Sequence, residues 1–205
     1  MKNSLLLGTS NAGKLQEFIF YIEHFSLFES FQIHGLNEFK DLGEPIEDGK
    51  TFKKNAEIKS KYFLEKTNSL VLCDDSGFIV NDLKDYPGVN TAREARKMGG
   101  EQKVIDFIFS KFENLNYIAS SFFCSICVLG KKEKYNVSGS IPGFVIKEKR
   151  GVNGFGYDPY FIPKYSNKTF AEMEKSQKLL NSHRYKAFEK LTTQILQDNL
   201  SSNYL

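Results

Sequence analysis

The chain has 205 residues, 40% of them hydrophobic and 26% charged, which is enough length and apolar content to bury a real core. A net charge of +3, with lysines spread along the chain, argues against a dedicated nucleic-acid-coating protein. No apolar run reaches the roughly 20 residues of a membrane span, nothing at the N-terminus reads as a signal peptide, and the default reading is a cytoplasmic protein.

Residues 4–9 read as a short buried strand. Residues 12–27 read as a helix with Leu15, Phe18, Ile19, Ile22 and Phe25 on one face and Asn11 placed to cap it. "FQIHG" is a second strand. Residues 36–50 form a polar, acidic loop broken by Gly43, Pro45 and Gly49. Thr51 caps a helix over "TFKKNAEIKSKYFLEKT". "SLVLC" (69–73) is an apolar strand, and "FIVND" follows as a further extended piece. "YPGVNTAR" is a turn running into a short helix, and 101–113 reads as another helix. Residues 116–129 and 134–146 are long strands joined by "GKKEK", a hairpin. A Gly-rich loop, "GVNGFGYDP", precedes a helical C-terminal stretch, about 174–198. The order predicts an α/β fold with a mixed sheet rather than a regular βαβ series, the central hairpin forming a second lobe. A cleft between two lobes is a natural ligand site.

Cys124 and Cys127 form a C-x-x-C in "SSFFCSICVLG". With no second pair and no nearby His to complete a metal site, they read as buried strand residues on opposite faces.

Four stretches carry chemistry. In "GTSNAGKL", Gly8, Gly13 and Lys14 nearly spell a P-loop, but Leu15 stands where that motif needs a hydroxyl for Mg²⁺. A strand end, a small-residue turn and a helix start still favour phosphate through free N–H groups and the helix dipole. A plain strand-to-helix turn is the alternative. In "CDDSG", Asp74 and Asp75 need neutralising by a cation or by Lys or Arg. Being adjacent on an extended segment, they face opposite sides and do different jobs; an acidic turn in water is the alternative. Glu44, Glu47 and Asp48 in the acidic loop offer further oxygens for a hard cation; a solvated loop explains them equally well. Finally, Phe155, Tyr157 and Tyr160 offer ring faces for a base, Gly154 and Gly156 allow close approach, and His183 and Arg184 begin the last helix as donors.

Together "TSNAGK", "GKTFKKNA", "DDSG", "PGVNTAR", "GSIPG", "GFGYDPYF" and "SHRYKA" run in order over residues 9–187. The sequence thereby resembles the inosine/xanthosine triphosphate pyrophosphatases, the Ham1-like enzymes, in their bacterial form. The resemblance implies one domain over 1–205, two-lobed and α/β, with a central elongated mixed sheet flanked by helices and the active-site cleft between the lobes. It implies a Mg²⁺-dependent homodimer that cleaves ITP, dITP and XTP to monophosphate and pyrophosphate, with no nucleic-acid or membrane partner.

Carried over by motif, Thr9, Ser10, Asn11, Ala12, Gly13 and Lys14 are the triphosphate grip. Asp75 is the acid–base residue and a metal ligand, Asp74 stands beside it, and Lys14 offsets the leaving charge. Glu47 is the second metal carboxylate, although Ile46 occupies a position that is usually acidic and leaves Glu44 as an alternative. Ser76 contacts substrate. Phe155, Gly156, Tyr157 and Asp158 form the base loop; Lys178, His183 and Arg184 complete it. Thr91 replaces a commoner Ser and keeps the hydroxyl. Two other readings are a pyrimidine-triphosphate pyrophosphatase of the Maf-like kind, against which "SHR" and "GFGYDP" weigh, and a nucleotide- or RNA-binding module, against which the paired aspartates weigh.

Overall fold

A computed structural model of the chain describes residues 3–39, 42–112 and 114–202. Strand β1 (Asn3–Leu7) is followed by helix α1 (Ala12–His24), strand β2 (Phe31–Gly35) and helix α2 (Phe52–Thr67). Then come β3 (Leu70–Val80), β4 (Tyr86–Pro87), α3 (Thr91–Met98) and α4 (Glu101–Phe109). The long strands β5 (Tyr117–Leu129) and β6 (Lys134–Ile146) precede the short β7 (Phe161–Pro163) and helices α5 (Lys175–Leu180) and α6 (His183–Ser202). The strands join in one sheet in the order β2-β1-β3-β5-β6-β7, with β4 paired to β3. β1 runs parallel to β2 and β3, whereas β4 and β7 are antiparallel to their neighbours, so the sheet is mixed as the sequence predicts. Among the described residues no helix is long and apolar enough to cross a membrane.

The chain divides into two compact units. The first comprises residues 1–75, 124–139 and 184–205. Leu5, Leu6 and Leu7 of β1 are fully buried, as expected of a central parallel strand covered on both faces. Leu6, Phe63, Val71 and Cys73 form one core cluster there. Phe18 and Tyr21 of α1 pack on Phe188 of α6, with ring centroids 5.6 and 5.0 Å apart. The second unit comprises residues 76–123 and 140–183. Its core is rich in aromatic rings: Phe78 stacks on Tyr157 at 5.2 Å and Phe122 meets Phe161 edge-on at 4.7 Å.

Several element boundaries differ from the sequence reading. β1 stops at Leu7, and the Thr9 N–H turns back onto the Leu7 carbonyl. α1 ends at His24, not residue 27, because Ser26 and Phe28 take left-handed backbone angles of 50° and 58°. Its buried face is Phe18, Tyr21 and Ile22 together with Glu17, while Leu15 is only half-buried. β3 is continuous through "CDDSG", so the aspartates sit inside a strand rather than in a turn at its end. α4 stops at Phe109; residue 113, the predicted end of that helix, lies outside the described residues. The C-terminal helical stretch breaks at Asn181–Ser182, which gives α6 its own N-terminus at His183.

Candidate active site

In the first unit, β1 delivers the chain into the turn Gly8–Asn11 and then into α1. The Asn11 side chain caps the helix by accepting the Lys14 N–H at 3.0 Å, and the Asn11 N–H bonds Thr9 Oγ1 at 3.3 Å. This cap fixes the first turn and with it Lys14, whose Nζ donates to both Asp74 oxygens, at 3.1 and 2.9 Å.

Asp74 and Asp75 are buried, and as strand neighbours they take different partners. Beside the Lys14 ammonium, Asp74 has Arg184 Nε at 3.9 Å and the Cys124 thiol at 3.8 Å. Burial alone would raise its carboxyl; Lys14, Arg184 and Lys59 outweigh that and hold it at about 2. Asp75 instead accepts from Asn55 Nδ2 at 2.9 Å and has Lys59 Nζ 4.0 Å away. Here burial wins, and the Asp75 carboxyl lies above its ordinary value although Lys59 and Asn55 pull it down.

Lys59 also donates to Glu47 Oε2 at 3.0 Å. Its ammonium thus stands between Glu47 and Asp75. Desolvation favours its neutral form, but Asp74, Asp75 and Glu47 overcome this and raise its pKa. Of the acidic-loop residues, Glu47 is the one brought to this cation, while Glu44 is exposed and Ile46 is 82% exposed. Arg184, fully buried, donates to Glu17 Oε2 at 2.8 Å, and the carboxylates beside it outweigh desolvation and raise its pKa.

The second unit holds the aromatic loop. The Phe155 N–H donates to Asp158 Oδ2 at 2.8 Å, and Lys178 Nζ donates to the same oxygen at 2.6 Å. The Lys178 ammonium lies 4.6 Å from the Phe155 ring centroid. Gly154, with φ of 76°, backs onto the Asp158 carboxylate where a Cβ has no room. Tyr157 is buried in its stack with Phe78, and the His183 ring stacks on Phe122 at 4.9 Å. Ser76 is half-buried on β3. Thr91, which replaces Ser, accepts the Phe78 N–H at 3.0 Å and donates to the Gly88 carbonyl at 2.6 Å.

Sequence reasoning gives no role to Asn55, Lys59 or Glu17. Asn55 and Lys59 are four apart on α2, within and just past "GKTFKKNA", so helical spacing from Thr51 is the signal that could have found them. Glu17 stands out only as an acid on the apolar face of α1. All three cysteines are buried free thiols, and burial pushes Cys73 up to about 12. Cys124 and Cys127 of the C-x-x-C are buried in β5, as the sequence reading has them. Among the described residues no group of three or more His, Cys, Asp or Glu is arranged to hold a metal.

The chain is similar to known proteins along most of its length. The Ham1 family model matches residues 5–194. The dITP/XTP pyrophosphatase of Bacillus anthracis is 35% identical over 199 residues, covering 93% of this chain and 95% of that protein. The enzyme of that name from Bacillus subtilis (strain 168) is 33% identical over 190 residues, covering 91% and 94%. The Staphylococcus aureus Ham1 protein superposes with a TM-score of 0.80 at 30% identity, over 96% of this chain and 100% of the other. A HAM1 protein from Coxiella burnetii gives 0.79 at 29% identity, over 95% and 99%.

Proposed function

We propose that this chain, which belongs to the Ham1 family, hydrolyses the triphosphates of deaminated purines (ITP, dITP and XTP) to the nucleoside monophosphate and pyrophosphate. The relatives named dITP/XTP pyrophosphatase support the substrate class. What carries the reading for this chain is the division of partners between Asp74 and Asp75: Lys14 and Arg184 for one, Asn55, Lys59 and the Glu47 side for the other.

Asp74 orients the Lys14 ammonium beside the start of α1, where the N–H groups of Ser10, Ala12 and Gly13 and the helix dipole receive phosphate oxygens. Asp75 holds the attacking water and takes its proton. A carboxyl raised by burial lies nearer the working pH, where a general base is most effective. The water oxygen bonds the α-phosphorus, the bond to the bridging oxygen breaks, and pyrophosphate leaves. Lys14 and Lys59 offset the charge that builds on the phosphates.

Glu47 and Asp75, two carboxylates facing one ammonium, fit Mg²⁺, which binds through one or two carboxylates plus substrate phosphate and water. When bound there, the ion neutralises phosphate oxygens. The base is read by the loop Phe155–Asp158 with Lys178 and His183. Donors aimed at a 6-keto oxygen penalise adenine, which would leave them unpaired. The resemblance also leads us to propose a cytoplasmic homodimer, and light scattering on the purified chain tests the dimer.

The test of the activity is a panel of dITP, XTP, dATP, dGTP and dTTP with Mg²⁺, the products resolved as pyrophosphate or orthophosphate. Pyrophosphate from dITP and XTP well ahead of the others is the expected result. Orthophosphate from dATP would favour a P-loop-like reading, and preference for dTTP would favour a pyrimidine one.

A further inference from the structure

The acidic loop that carries Glu47 has no regular secondary structure between residues 42 and 49. Its placement must therefore come from side chains. α2 presents Asn55, Lys59, Tyr62 and Lys66 at i, i+4, i+7 and i+11, which is one stripe on a helix of about 3.6 residues per turn. Every member of the stripe holds the loop. Asn55 Oδ1 accepts the Gly49 N–H at 2.8 Å, and Lys59 meets Glu47 at 3.0 Å. At the far end the Tyr62 hydroxyl and the Lys66 ammonium converge on one atom, the Leu42 carbonyl oxygen, at 2.6 and 2.7 Å.

The backbone next to that oxygen is shaped to the contact. Gly43 has φ of 68°, and a Cβ there would lie 2.8 Å from the Tyr62 hydroxyl. The loop thus crosses Tyr62 at a distance only glycine permits, in a conformation glycine adopts without strain. Lys66 Nζ also lies 4.6 Å from the Tyr62 ring centroid, so the two donors brace each other. Leu42 and Tyr62 both pack against the core cluster of Leu6, Phe63, Val71 and Cys73.

We infer that Tyr62 and Lys66 are positioning residues: a latch on the Leu42 carbonyl that fixes the register of the acidic loop and so sets Glu47 against Lys59, beside Asp75. Without the latch, the loop keeps its ties at Glu47 and Gly49 and the packing of Leu42, but its two glycines let the backbone between them sample more arrangements, and the fraction with Glu47 in place falls. A ligand that needs that arrangement binds more weakly by the same fraction. The functional consequence rests on Glu47 being a metal carboxylate, as proposed above; the latch itself does not.

The test uses the full chain with Tyr62→Phe and Tyr62→Phe/Lys66→Met, and Lys66→Arg as the conservative control. Tyr62→Phe keeps the ring in its packing, so the fold is retained. Two readouts are taken: cleavage after Glu47 by a glutamyl endopeptidase under native conditions, and Mn²⁺ affinity by titration calorimetry without nucleotide. The double variant should be cut on the order of tenfold faster, because cleavage tracks the open population, and should bind Mn²⁺ several-fold more weakly, with Tm little changed. Lys66→Arg should behave as the parent. Cleavage of the double variant at the parental rate overturns the latch. If the parent binds no Mn²⁺, the assignment of Glu47 fails instead, and the cleavage rates still decide the latch.

Discussion

Glu17 accepts a 2.8 Å hydrogen bond from Arg184 Nη1, and both side chains are buried. One turn of α1 thus separates the residue that grips Asp74, Lys14, from the residue that holds the head of α6, Glu17. Removing Glu17 takes from a buried guanidinium its 2.8 Å carboxylate, while Asp74 stays 3.9 Å from Nε. Glu17→Ala should cost about 3 kcal/mol of stability in urea unfolding, the low end for breaking a buried pair because Asp74 remains. A loss below about 0.5 kcal/mol, the scale of a surface substitution, would show the pair to be energetically idle.

Asp74 makes stability depend on acid pH. Its carboxyl is held at about 2 against an ordinary 3.8. The folded value lies below the unfolded one, so the contribution is complete above the ordinary carboxylate range and is lost as pH falls through that window toward 2. The shift corresponds to roughly 2 kcal/mol. Urea midpoints of the parent and Asp74→Asn, compared across the window, should converge as pH falls. A pH-independent gap contradicts the ion pairing described for Asp74.

At Asp75 the balance is reversed, burial outweighing the cation beside it. Lys59 lowers the Asp75 carboxyl, working against burial. Lys59→Met should therefore raise Asp75 further and move the acid limb of kcat/KM to higher pH. With Mg²⁺ saturating, kcat should fall as well, since the ammonium also offsets phosphate charge. An acid limb that stays in place would remove Lys59 from the environment of the base.

Asp158 joins the aromatic loop to Lys178 through a single oxygen, Oδ2. Asp158→Ala should raise KM for dITP on the order of tenfold and narrow the preference for dITP over dATP, since the loop and the ammonium lose their common anchor. Parallel kcat/KM measurements on both nucleotides check this. An unchanged ratio would mean that the loop does not read the base.

Motif order makes the fold class, the residues Lys14, Asp74, Asp75 and Arg184, and the aromatic loop legible in the amino-acid sequence, but not Lys59 or Glu17. The signals are local: Asn11 as a cap, Thr51 as a cap, alternating apolar strands, and Leu15 lacking a hydroxyl. Other features are not legible because they depend on contacts distant in sequence. Nothing around "CDDSG" reveals that Lys14 and Arg184 flank Asp74, and so the stretch resembles a turn although it is strand interior. Glu17 receives no role in sequence because its partner, Arg184 of α6, comes from the other end of the chain. The choice between Glu44 and Glu47 stays open in sequence, and only the position of Lys59 on α2 distinguishes them. The boundary near Phe25 slips because Leu27 continues the apolar pattern past the point where the backbone turns, and the break at Asn181–Ser182 carries no Gly or Pro to mark it.

Hydrolysis of dITP in ¹⁸O-labelled water follows the oxygen that Asp75 directs to the α-phosphorus in the proposed reaction. The parent should place the label in dIMP and none in pyrophosphate, and Asp75→Asn, folded as judged by circular dichroism, should release neither product. Label in pyrophosphate or orthophosphate, or parental turnover by Asp75→Asn, would contradict the account.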